Sequence, residues 1–246
     1  MMMSIRLAAI TSSLTRAIDL CFGQPDDHVA RTTLLAMELA GALGAGSEEL
    51  ADVYWLGQLR FVGCTGHAHE VASLFGDEIA TRADAITLDY GSAPAVLGWM
   101  IRNAGTERGG PARIQSVLRA LAGGKRAAAD SFRGGCEVGR ELVTRLGLEP
   151  RLAAALDFSF ERWDGRGMPW GVSGDSIPHA MLVVHAAQEL EVFARSGTET
   201  ALAMARRRAG RAYAPNVAAA FVAEGAEILD RLGKRSGPEA LLDAEP

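Results

Sequence analysis

Apolar residues return at helical spacing in one segment of the chain after another, and glycine or proline closes each run. Leu7, Ile10, Leu14, Ile18 and Phe22 share one face of a first segment that Gly23-Gln24-Pro25 ends. Asp26 or Asp27 caps a second, which has His28, Leu34, Leu35, Met37, Leu39 and Leu43 on its inner face and Gly44-Ala45-Gly46 behind it. Ser47-Glu48-Glu49 opens a third that runs to Phe61 or Val62, its hydroxyl capping the helix and its acids facing the positive end of the dipole. No run alternates apolar and polar residues between turn signals, so no strand is predicted. The pattern specifies an all-α chain.

The same reading predicts a turn and a short helix over 77–92, then helices over 93–103, 111–121, 127–146, 151–160, 177–194, 199–208 and 216–232. Gly134-Gly135 lies inside one of them. Each such glycine costs about 1 kcal/mol relative to alanine in a helix interior, so a kink or a close helix contact is predicted there. A chain of 246 residues, 48% of them apolar, has enough material for one sizeable core, and neither an internal repeat nor a linker divides it. Residues 1–233 are read as one multi-helix bundle and 234–246, which begin in a polar stretch, as a C-terminal tail or linker.

A net charge of −5 and the lack of a Lys/Arg stripe with interleaved aromatics argue against direct nucleic-acid binding by this chain. Three cysteines, Cys21, Cys64 and Cys136, stand at wide spacing, neither a disulfide framework nor a paired zinc motif, which suits a reducing cytoplasm. The N-terminus lacks an apolar signal core, and no apolar stretch approaches the roughly 20 residues that span a bilayer. No membrane association is expected.

The densest group of chemically able residues is Glu161-Arg162-Trp163-Asp164-Gly165-Arg166-Gly167-Met168-Pro169, followed by Ser176-Ile177-Pro178 at the entry of a helix. This passage resembles the signature of HD-GYP domains, the all-helical branch of the HD phosphohydrolases, which hydrolyse cyclic di-GMP at a centre of two or three metal ions. The resemblance covers most of the chain. It is most similar to degenerate HD domains of actinobacterial regulators joined to a LuxR-type DNA-binding helix-turn-helix, through 23–28, 59–65 and 206–215.

Carried over residue by residue, the resemblance implies that His28 matches the first metal ligand. Arg60-Phe61 stand in place of the His-Asp pair, Gly135 in place of a later His, Ser159-Phe160 in place of a His pair, Met168 in place of Tyr and Gln188 in place of an Asp. One remaining ligand cannot hold a metal pair, so no metal, no cofactor and no catalytic residue is expected. Cys64, His67, His69 and Glu70 are the other dense group of ligand types, but their spacing fits no standard site and a surface or capping role is expected. His179 and His185 are read as ordinary bundle residues.

Arg60, if buried, requires either a carboxylate partner, with Glu161 and Asp164 in reach by sequence, or an anionic ligand. Arg162 and Arg166 either clamp a phosphate or serve a loop that Trp163 anchors in the core while Asp164 bonds backbone amides. His28, Arg60, Ser159, Arg162, Asp164, Arg166 and Gln188 therefore make up the expected ligand-binding set. The resemblance implies a catalytically inactive sensory or interaction domain of a transcriptional regulator, taking a small molecule or nucleotide in the former active-site cavity and working as a homodimer or beside a DNA-binding domain. A metal-dependent cyclic di-GMP phosphodiesterase with a rearranged site is the enzymatic alternative, and a purely structural dimerisation domain is the third.

Overall fold

The computed structural model describes residues 6–64, 72, 75–106, 109–235 and 237–246. Their helices are α1 (Leu7–Cys21), α2 (His28–Ala42), α3 (Ser47–Leu59), α4 (Glu78–Ala85), α5 (Ala93–Asn103), α6 (Gly110–Arg145), α7 (Pro150–Leu156), α8 (His179–Ala194), α9 (Thr198–Arg208), α10 (Pro215–Lys234) and α11 (Pro238–Asp243). No strand occurs among the described residues; one isolated bridge joins Ala209 to Tyr213. The chain has an all-α, HD-domain-like fold. None of the described helices is long and apolar enough to cross a membrane.

The core explains the order of the elements. α8 carries Met181-Leu182-Val183-Val184 and Ala186-Ala187, and every residue from Ala180 to Glu191 is buried. A helix apolar on all sides belongs at the centre of a bundle, and α2, α3, α9 and α10 pack around it. Leu35, Leu39, Val53, Leu56, Tyr213, Val217, Phe221 and Ile228 fill the space between them. A smaller cluster of Ala8, Ala30, Tyr54 and Leu241 closes the end where α11 docks on α1, and the Tyr54 hydroxyl donates to the Leu241 carbonyl at 3.0 Å. Part of 234–246, expected as a tail or linker, is thus held against the bundle.

One element departs from expectation. The segments 111–121 and 127–146 form a single 36-residue helix, α6, that passes through Gly123-Gly124 and Gly134-Gly135. Gly134-Gly135 mark a close contact, because a Cβ on Gly63 would lie 2.0 Å from the Gly135 carbonyl oxygen and one on Gly135 would lie 3.3 Å from the Cys64 sulfur. Absence of side chains at this crossing lets the end of α3 lie against α6, which offsets the intrinsic cost of glycine in a helix.

Candidate functional site

Polar side chains on a helix buried all round need partners, since an unbonded polar group costs several kcal/mol to bury. α8 places four of them inside: His185, Gln188, Glu189 and Glu191, none more than 9% exposed. Their spacing sends them towards different neighbours, and three networks result.

The first is built on Arg60, at the end of α3 and 6% exposed. Its Nε donates to the Ser159 carbonyl at 2.9 Å, and one terminal nitrogen donates to that carbonyl at 2.5 Å and to His185 Nδ1 at 2.9 Å. The other terminal nitrogen donates to Gln188 Oε1 at 3.3 Å. Phe61 and Phe160 lie alongside, with ring centroids 4.8 and 5.8 Å from the guanidinium carbon, and Phe160 stacks on Phe132 at 4.0 Å. Every acceptor in this set is neutral. Among the described residues no carboxylate pairs with Arg60, and burial pulls its pKa down to about 10. His185 is driven well below its usual pKa, first by burial and then by the Arg60 charge, so it is neutral. Neither His185 Nε2 nor Gln188 Nε2 has a hydrogen-bond partner among the described residues.

The second network centres on Glu191, fully buried, whose carboxylate meets His28 Nδ1 at 2.8 Å, Arg31 at 2.8 Å and Arg195 at 2.6 Å. Burial raises its pKa, but the hydrogen bonds from His28 and Arg195 prevail and hold it at about 2. In the third, Glu189 binds Arg208 and accepts from the Tyr213 hydroxyl at 2.6 Å, while Arg208 also donates to the Thr87 carbonyl.

The loop before α8 is folded on its own acids. Arg162 forks onto Asp164 at 3.0 Å and reaches Asp89 at 2.7 Å. Asp164 also accepts from the Arg166 amide, and Glu161 Oε1 accepts from the Trp170 and Gly171 amides at 2.7 and 3.1 Å. Desolvation raises the Glu161 pKa, and its other oxygen, Oε2, is buried and unbonded. Gly167 is required by the turn itself, since a Cβ there would stand 2.5 Å from the Glu161 Cα. Backbone bonds from the Trp163 and Asp164 amides to the Ala212 and Arg211 carbonyls fasten the loop to the turn after α9, and Gly174 donates back to the Trp163 carbonyl within the loop.

Of the residues expected from sequence, Arg60, Ser159 and Gln188 do meet, Ser159 through its carbonyl rather than its hydroxyl. His28 is held away by Glu191, and Arg162 with Asp164 forms a closed ion pair beside the cluster. Arg166 is exposed, with its guanidinium 3.5 Å from the Gly91 carbonyl. The expected partnership of Arg60 with Glu161 or Asp164 does not form, because Glu161 is held by loop amides and Asp164 by Arg162. His185, passed over as an ordinary bundle residue, is a direct partner of Arg60. His67, His69 and Glu70 lie outside the described residues.

A metal centre gathers carboxylates and imidazoles at one point. Among the described residues no three His, Cys, Asp or Glu side chains are so arranged, and the place of the His-Asp pair is held by a guanidinium and a phenyl ring. The donor set does not fit a metal ion, and the chemistry open to the cluster is that of guanidinium, amide and imidazole.

The fold is that of an all-α, HD-domain-like bundle. No protein-family model matches the chain. It is similar to 3'3'-cGAMP-specific phosphodiesterase 3 of Vibrio cholerae serotype O1, 26% identical over 187 residues, which are 76% of this chain and 41% of that protein. It also resembles the crystal structure of a cyclic GMP-AMP specific phosphodiesterase of V. cholerae, V-cGAP3, with a TM-score of 0.65 and 21% identity over 98% of this chain and 60% of that one. The chain thus spans between two fifths and three fifths of the length of these relatives.

Proposed function

We propose that this chain is a cyclic-dinucleotide phosphodiesterase domain, hydrolysing a phosphodiester bond of a substrate such as 3'3'-cGAMP or cyclic di-GMP at a rearranged HD-type site. The observation that carries this reading is the similarity, across 187 residues, to a phosphodiesterase specific for 3'3'-cGAMP. It corrects the expectation of an inactive sensory domain, which rested on the loss of metal ligands, in favour of the enzymatic alternative, a phosphodiesterase with a rearranged site. In this reading Arg166, exposed on the loop, is a phosphate contact.

The regulator branch, with a DNA-binding domain elsewhere in a longer chain, is a further proposal supported by the stretches at 23–28, 59–65 and 206–215. The activity is tested by incubating the purified chain with each cyclic dinucleotide, in chelator and separately with added Mn2+, and following linear products by chromatography. Product above the enzyme-free control in either condition is expected. None from either substrate in both conditions contradicts the proposal.

A further inference from the structure

We propose that Arg60, His185 and Gln188 form a metal-independent binding site for a phosphodiester anion, which rests on the cyclic-dinucleotide substrate class proposed above. The argument is one of donors and acceptors. Arg60 is a fixed positive charge, buried, whose hydrogen bonds all go to neutral oxygen and nitrogen atoms. Two of those acceptors belong to groups that each have a second, donating end. With Nδ1 accepting from Arg60, His185 keeps its proton on Nε2; with Oε1 accepting, Gln188 leaves its NH2 without an acceptor. Both donors are buried and unpaired among the described residues, and both groups hang from the terminal nitrogens of one guanidinium, one helical turn apart on α8.

A buried cation ringed by unmet donors has a deficit of negative charge and of acceptors, and an anionic oxygen supplies both. A metal ion would supply neither and would meet Arg60 as a like charge. The aromatic faces of Phe61 and Phe160 account for a stable resting place for the guanidinium, but they bond neither His185 Nε2 nor Gln188 Nε2. The Ser159 hydroxyl does not compete, since it donates to the Leu156 carbonyl at 2.7 Å. The site is therefore all-donor, which suits phosphate oxygens.

Titration calorimetry of the purified chain with 3'3'-cGAMP in excess EDTA tests this, alongside Arg60→Met and Gln188→Glu. Parent binding in EDTA is expected, with affinity at least about thirtyfold weaker in either variant, the loss usual when one partner of a buried charged hydrogen bond is removed. Gln188→Glu guards against a variant that merely unfolds. Its carboxylate would occupy the amide's place beside Arg60, remove the NH2 donor and give the guanidinium the counter-ion it lacks, so its melting temperature without ligand should rise by a few degrees while binding is lost. Binding that requires a metal ion, parent binding absent at millimolar ligand, or a Gln188→Glu chain that binds as well as the parent would overturn the proposal. Hydrolysis is read separately: turnover with metal-dependent binding sinks this inference and leaves the phosphodiesterase reading standing, and EDTA-resistant binding without turnover does the reverse.

Discussion

At the scale of single residues, the fate of a buried charge depends on which partner arrives first. Asp164 is two residues from Arg162 and is taken by it, so Arg60 turns to a carbonyl, an imidazole and an amide whose residues lie 99 to 128 positions away. That Arg60 needs acceptors was legible in the sequence; which acceptors it finds was not, because the answer depends on long-range packing. The signal for His185 was present as a polar break in an otherwise apolar helix, three residues before Gln188. Two other buried acids make the stability pH-dependent with opposite signs. Asp19 on α1, which accepts from the Val29 amide, has its pKa raised by burial from 3.8 to about 7, so the folded state keeps a proton that the unfolded chain releases, and stability falls as pH rises from about 4 to about 7. Glu191 is the reverse: held at about 2 against an ordinary 4.5, it stabilises above pH 4.5, and that contribution is lost as pH falls towards 2. Melting temperature should therefore peak near pH 4 to 5, and Asp19→Asn should flatten the neutral-side decline. A mutant profile parallel to the parent's between pH 4 and 8 would show that Asp19 does not set it.

At the scale of elements, two contacts decide how helices and loop sit. The Gly63–Gly135 crossing leaves no room for a methyl group, so Gly63→Ala should cost about 3 kcal/mol, at the upper end for overpacking, as helix α3 is pushed off α6. Urea unfolding of the variant measures this; an unchanged midpoint would mean that α6 gives way freely. Here the sequence raised the right question, kink or close contact, but the answer lay in a residue 72 positions earlier. The predicted break of α6 into two helices failed because the penalty for glycine is small beside the packing of a long amphipathic helix. Trp163 packs against the main core, partly buried, as the loop's anchor. Its replacement by alanine should cost about 3 kcal/mol, the low end for a tryptophan, and lower the melting temperature by roughly 6 to 12 °C. A loss below about 1 kcal/mol would assign the anchoring to the backbone bonds with the turn after α9.

At the scale of the whole molecule, the bundle class and most helix ends other than the break in α6 were legible because caps, glycine stops and apolar spacing are local. The loop signature, being a chemical pattern as well as a turn pattern, carried the likeness to HD phosphohydrolases. The function was not legible by the same route. Matching ligands one by one brought Arg60 and Gln188 together but recorded mainly what is missing, whereas the folded chain adds His185 to them as a direct partner of Arg60. The account joins two statements, that the domain hydrolyses cyclic dinucleotides and that the phosphodiester is held at this cluster. One measurement tests them together: initial rates of 3'3'-cGAMP hydrolysis by the parent chain, by Gln188→Glu, and by Arg231→Ala, an exposed ion-pair control on α10. The account predicts turnover by the parent and the control, and a rate at least about thirtyfold lower for Gln188→Glu although that chain is the most stable of the three. No turnover by the parent, or equal rates in all three, would contradict it.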